Sequence, residues 1–146
     1  MGILIGDRGA WGKGHATDAV RTLARYAFGE LGLRRVTGGT LFTATDPEIY
    51  CAFANAGYDY IWVEHQHNAR DWKTTERMWA ACPNAKAVPG VRVAYTDERE
   101  EQHALDAGAM VLIVPTVRSY EEALKARDWA YFPPLGRRSN GGGQAF

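Results

Sequence analysis

VPGVRVAYTDEREEQHALDAGAMVLIVPTV, residues 88–117, sets two short apolar runs on either side of a charged stretch. Val88–Val93 and Met110–Val114 read as buried strands, the second nearly continuously apolar. Between them Asp97 has the chemistry of a helix N-cap and Gly108 that of a helix stop, so the segment spells strand, helix, strand.

The same rhythm extends both ways. Upstream, Thr40–Ala44 is rich in β-formers, and Asp46-Pro47-Glu48 supplies an N-cap, a first-turn proline and an acidic first turn. The helix carrying Ile49, Phe53 and Ala56 closes at Gly57. Tyr60–Glu64 is the next strand, and Asp71 opens a helix through Met78 and Trp79 that halts at Pro83. Downstream, Ser119 with Glu122 forms a capping box, and the chain then passes Tyr131–Phe132 into a loop. Four alternations with short connections predict an α/β fold of about four βα units on a parallel sheet.

The first 36 residues are organised differently. Ile3–Ile5 is a short strand candidate followed by the turn GDRGAWGKG, and a helix begins near Thr17. Ala16, Val20, Leu23, Ala24, Ala27, Phe28 and Leu31 recur at helical spacing, and Gly32 is the stop. A composition break near Val36–Thr40 marks a junction between the two parts.

Composition limits the function classes. Seventeen basic residues face seventeen acidic ones, which removes the electrostatic reason to expect nucleic acid or an anionic membrane. No apolar run reaches the ~20 residues of a membrane span and no leader is evident, so a soluble, untargeted chain is expected. Cys51 and Cys82 have no ligand spacing, so neither a disulfide framework nor a zinc site is indicated, and a reduced cytoplasm fits best.

In WGKGHATDAV the glycines at 12 and 14 and the small Ala16 precede a helix N-terminus, where unpaired backbone N–H groups and the positive dipole end face one point. A phosphate suits that arrangement; an ordinary strand–turn–helix corner is the simpler alternative. The longer stretch IGDRGAWGKGHATDAVRTLARYAFGELGLRRV resembles, over residues 3–36, the acetyl-CoA-binding segment of GNAT N-acetyltransferases as a β-α-β fragment. That resemblance implies that Trp11, Gly12, Lys13, Gly14, His15, Ala16 and Thr17 hold the pyrophosphate of the coenzyme.

DYIWVEHQHNARDW (59–72) places His65, His67 and two carboxylates just beyond a strand's carboxyl end, where βα-barrels carry their chemistry. His65 is read as a surface loop residue. Arg92 ends the following strand, where a guanidinium needs an anionic partner, either a ligand or a structural carboxylate. TLFTATDPEIYCAFANAGYDYIWVEHQH (40–67), the segment 88–117 and YFPPLGRRSNGGG (131–143) resemble, in order and spacing, the first half of the HpcH/HpaI aldolases.

The resemblance implies a partial (β/α)8 TIM barrel over 38–146, after a GNAT fragment over 1–37. It implies a metal-dependent pyruvate aldolase that cleaves 4-hydroxy-2-oxo acids, a carbon–carbon lyase with a small 2-oxo acid substrate. His67 corresponds to the histidine that moves the proton, Arg92 to the arginine that grips the oxo acid, and Asp106 to the supporting aspartate. By position, Asp106 falls at the opposite barrel face and would reach only a neighbouring subunit's site. Gly136 and Arg137 fall in a substrate-side loop. The family pattern has an aspartate, a spacer and Glu-His where this chain has Glu64, His65, Gln66 and His67. The family's ligands for Mg²⁺, Mn²⁺ or Co²⁺ lie beyond the glycine loop, and no acidic residue follows Asp128 here, so no metal ligand is assigned. Alternatives are an acetyl-CoA-binding remnant and a non-catalytic fusion. Open strand edges predict homo-oligomers or self-association.

Overall fold

A computed structural model describes residues 8–141. The chain divides into two compact units, Met1–Val36 and Thr37–Phe146.

In the first unit a 3₁₀ turn at Arg8–Ala10 precedes α1 (His15–Ala24), which continues as a π-helical stretch over Arg25–Glu30. The helix starts two residues earlier than the Thr17 expectation. Gly14 caps it in the left-handed region at φ 81°, which glycine adopts without a Cβ penalty, and no side chain bonds the first-turn amides. Ile3–Ile5 lies outside the described residues. No residue of α1 or the π-helical stretch is buried.

The second unit is a parallel sheet in the order β1 (Gly38–Leu41), β2 (Tyr60–Glu64), β3 (Val88–Arg92), β4 (Val111–Ile113). After these strands come α2 (Pro47–Ala54), α3 (Trp72–Ala80), α4 (Glu98–Asp106) and α5 (Tyr120–Ala130). Each helix starts where the sequence provides a cap. Asp46 accepts from the Glu48 and Ile49 amides, Asp71 from Thr74, Asp97 from Glu100, and Ser119 from Glu122. The Ser119 box closes one residue upstream of the usual pattern, because Glu122 Oε2 accepts from the Arg118 amide at 2.6 Å.

Register fixes the two faces of the sheet. Ile61 pairs with Gly39 and Pro89, and Val63 with Leu41 and Val91. These positions alternate onto the face that packs with Tyr50, Ala54, Met78, Trp79 and Ala104 of the helices in one core. Trp62, Glu64 and Arg92 alternate onto the other face.

Two expectations are corrected here. The first strand occupies Gly38–Leu41 rather than Thr40–Ala44. Beyond Leu41 the carbonyls of Phe42 and Ala44 accept side-chain bonds, from Asn68 Nδ2 at 2.7 Å and Arg70 Nη2 at 2.5 Å, so the backbone leaves the ladder. Cys51 and Cys82 form a disulfide, with Cα atoms 5.3 Å apart. The folded chain brings α2 beside the end of α3; a separation of 31 residues carries no local sign of that proximity.

Candidate functional site

All four strands run the same way, so the segments after Leu41, Glu64, Arg92 and Ile113 emerge at one edge. Glu64 organises that edge. Its carboxylate is wholly buried, and Oε1 accepts the amides of Gln66 at 2.5 Å and His67 at 3.0 Å. Oε2 accepts Arg92 Nε at 2.6 Å, and Arg92 Nη2 closes on the same oxygen. Arg92 is the register partner of Glu64, and its guanidinium lies 5.2 Å from the Trp62 ring centroid. A single carboxylate thus sets both the loop that presents His67 and the direction of Arg92. With two nitrogens held by Glu64 and a side chain 23% exposed, Arg92 keeps its Nη1 edge for another anion.

His67 is exposed and stacks with the Phe42 ring, with centroids 6.4 Å apart and planes 10° from parallel. His65, by contrast, is 5% exposed, which corrects its reading as a surface loop residue. Its Nε2 pairs with Thr75 Oγ1 at 2.7 Å and its ring packs on Trp72 at 4.3 Å. Burial, with Arg70 adding to it, pushes its pKa down to about 4, so the imidazole is neutral at pH 7. Strand alternation would turn position 65 back toward the helices, and α3 closes over it.

His67 lines a cleft of about 610 Å³ with Gln66, Thr96, Thr116, Arg118, Lys125 and Trp129, a size within the ~300–1,000 Å³ of small-molecule sites. Side-chain bonds tie its loops together. Gln66 Nε2 donates to Thr116 Oγ1 at 3.2 Å, and Thr96 Oγ1 donates to the Pro115 carbonyl. Thr116 has φ 57°, an unfavourable conformation for a β-branched residue of the kind that marks functional loops.

The remaining expected residues stand elsewhere. Asp106 ends α4 and pairs with Arg138 at 2.7 Å, so within one chain it is not joined to His67. Arg137 pairs with Glu98 at 2.5 Å, and neither Arg137 nor Gly136 lines the cleft. A Cβ at Gly136 would stand 2.4 Å from the Tyr131 carbonyl oxygen, so the glycine serves a tight turn after α5. The residues that the sequence reading missed are Thr116, Arg118, Lys125 and Trp129. Their signal is the spacing 118, 122, 125, 129, which is one face of a helical turn pattern.

The residues fit a divalent cation poorly. Among the described residues no group of three or more His, Cys, Asp or Glu side chains is placed to hold a metal, and both Glu64 oxygens are engaged.

A parallel βα sheet with polar side chains gathered at its carboxyl edge has the architecture of part of a TIM barrel. The chain is 31% identical over 96 residues to a hydroxypyruvate/pyruvate aldolase of Roseovarius nubinhibens, covering 66% of this chain and 37% of that protein. It is 30% identical over 88 residues to a 4-hydroxy-2-oxo-heptane-1,7-dioate aldolase of Salmonella dublin, covering 60% and 34%. The crystal structure of an HpcH/HpaI aldolase from Desulfitobacterium hafniense superposes with a TM-score of 0.70 at 32% identity, over 77% of this chain and 44% of that one. Over about three quarters of its length the chain is thus similar to HpcH/HpaI aldolases, in sequence and in fold. It spans less than half the length of these relatives. Residues 1–48 match the acetyltransferase (GNAT) domain family.

Proposed function

We propose that this chain carries the chemistry of a pyruvate-type aldolase, a carbon–carbon lyase acting on 4-hydroxy-2-oxo acids. The observation that carries this reading is the Glu64 carboxylate, which positions His67 and Arg92 together at the strand ends. In this reading His67 takes the proton of the 4-hydroxyl as the C3–C4 bond breaks and an aldehyde leaves. The bond's electron pair moves into the 2-oxo group as an enolate, and proton return to C3 yields pyruvate. Arg92 offers its free edge to the substrate carboxylate and the enolate oxygen. Asp106 supports a histidine only across a subunit boundary, consistent with a homo-oligomer. Gly136 and Arg137 act on substrate only if the loop after α5 is repositioned.

The divalent metal used by the family is a cofactor of this reading, although the described residues do not form its ligand set. The substrate is a small 2-oxo acid, with no nucleic acid or membrane partner; no helix among the described residues is long and apolar enough to cross a membrane. A cytoplasmic location goes with this reading.

The test is pyruvate release from a 4-hydroxy-2-oxo acid, with and without Mg²⁺, Mn²⁺ or Co²⁺. It is run on this chain alone and on the chain combined with the second barrel half of a full-length relative. His67→Ala should lower turnover about 10²–10⁴-fold, the usual share of a positioned acid–base group. Turnover indifferent to both His67 and Arg92 overturns the assignment.

The GNAT match supports a second reading, acetyl-CoA binding by Trp11–Thr17, where the left-handed Gly14 leaves first-turn amides without a side-chain cap. Protection of those amides from hydrogen exchange by acetyl-CoA would support it; unchanged exchange at millimolar coenzyme would sink it.

A further inference from the structure

The Cys51–Cys82 disulfide ties α2 to the end of α3, and its two sulfurs stand in unlike surroundings. Cys82 is 9% exposed and belongs to the hydrophobic core, whereas Cys51 is half-buried at its margin. Cys51 also lines a cleft of about 440 Å³ with Pro47, Glu48, Ala52, Asn55 and Ala81. Cys82 is not among the residues lining that cleft.

Asn55 adds a second asymmetry. Its Nδ2 donates to the Cys51 carbonyl at 2.9 Å and lies 3.4 Å from Cys82 Sγ, closer than the 3.7 Å to Cys51 Sγ. A side-chain amide has two N–H groups, so one can hold the carbonyl while the other serves the Cys82 sulfur. A disulfide opens when a thiolate reaches one sulfur and expels the other as a thiolate, so access governs the first sulfur and charge stabilisation the second. The cleft gives access to Cys51, and the Asn55 N–H steadies negative charge on Cys82. Both features select the same direction of attack.

We infer that Cys51 is a modification site for small thiols. A thiolate entering the cleft bonds to Cys51 Sγ, the bond to Cys82 Sγ breaks, and its electron pair stays on Cys82 as a thiolate that takes a proton from water. The product is a mixed disulfide on Cys51, with the covalent tie between α2 and α3 open. Return attack of Cys82 on Cys51 expels the small thiol and recloses the tie. Glu48 is the one charged residue of the lining, so a thiol bearing a cation is favoured over one bearing an anion. The site is independent of the aldolase reading.

The experiment treats the whole disulfide-bonded chain with cysteamine, quenches with acid after partial reaction and locates the adduct by peptide mass spectrometry. The mixed disulfide should sit on Cys51 at least about tenfold more often than on Cys82. Cys82→Ser, which lacks the sulfur that recloses the tie, should accumulate the adduct from cystamine, and Cys51→Ser should react at least about tenfold more slowly. At equal thiolate concentration cysteamine should open the wild-type bond about threefold faster than 2-mercaptoethanesulfonate, a ratio that high salt or Glu48→Gln brings toward one. An adduct mainly on Cys82, an even split, cleavage seen only in urea, or equal rates for the two thiols overturns the inference. The wild-type measurements need no variant and stand even if a substituted chain folds poorly.

Discussion

Glu64 and Arg92 are register partners on adjacent parallel strands, and the wholly buried carboxylate of the first holds two nitrogens of the second. Removing one member leaves the other without its partner in a desolvated place. Arg92→Ala should therefore destabilise the fold by about 3 kcal/mol, while Glu64→Gln should cost nearly as much and also loosen the His67 loop. Urea unfolding followed by circular dichroism measures both. A loss under about 0.5 kcal/mol for each would show that solvent satisfies the pair.

Glu101 is fully buried on α4, neither of its oxygens has a partner, and burial followed by Asp97 pushes its pKa up to about 8. In the unfolded chain a glutamate titrates near 4.5. Between these values the unfolded state ionises while the folded one stays neutral, so stability is highest below pH 4.5 and is lost as pH rises toward 8. Glu101→Gln should remove that slope, with the gain over wild type widening from pH 5 to pH 8 and levelling above. Chemical denaturation at four pH values is sufficient; parallel curves for the two proteins would refute the prediction.

The sign is opposite for His65. Its folded pKa of about 4 lies below the ordinary 6.5, so the folded state resists protonation and stability falls as pH drops from 6.5 toward 4. His65→Ala should cost about 2 kcal/mol at pH 7 through the lost Thr75 bond and Trp72 contact, and less at pH 4.5. Thermal melts at the two pH values test this, and an equal deficit at both would place the effect in packing alone.

The Cys51–Cys82 bond closes a loop 31 residues long. Its reduction, or a Cys51→Ser/Cys82→Ser pair, should lower stability by about 3 kcal/mol. Urea midpoints with and without dithiothreitol measure it. Identical midpoints would mean that the closure adds nothing beyond the packing of α2 on α3.

What could be read from the chain was local. Asp46, Asp71, Asp97 and Ser119 announced their helices because a cap acts within three residues of itself. β2 matched in both limits because its apolar run is short and bounded. The misread features depend on distant residues. β1 slid toward its amino end because Asn68 and Arg70, some 26 residues on, claim the carbonyls that would have extended it. His65 passed for a loop residue because only α3, once folded back, covers it. His67 and Arg92 drew notice as residues at or just past strand ends, whereas Arg118 and Lys125 line the cleft beside His67 only because α5 and its entry bring them there.

Sequential strand order also bears on synthesis. Each strand of the second unit pairs only with the next along the chain, fewer than about thirty residues further on. Every connecting helix is capped by residues within its own turn. Each new βα unit can therefore settle against its predecessor as soon as it clears the ribosome, without awaiting a distant partner. Assembly can proceed vectorially, and a pause during translation would leave a shorter stack, edged by β1 and the newest strand, instead of a tangled chain.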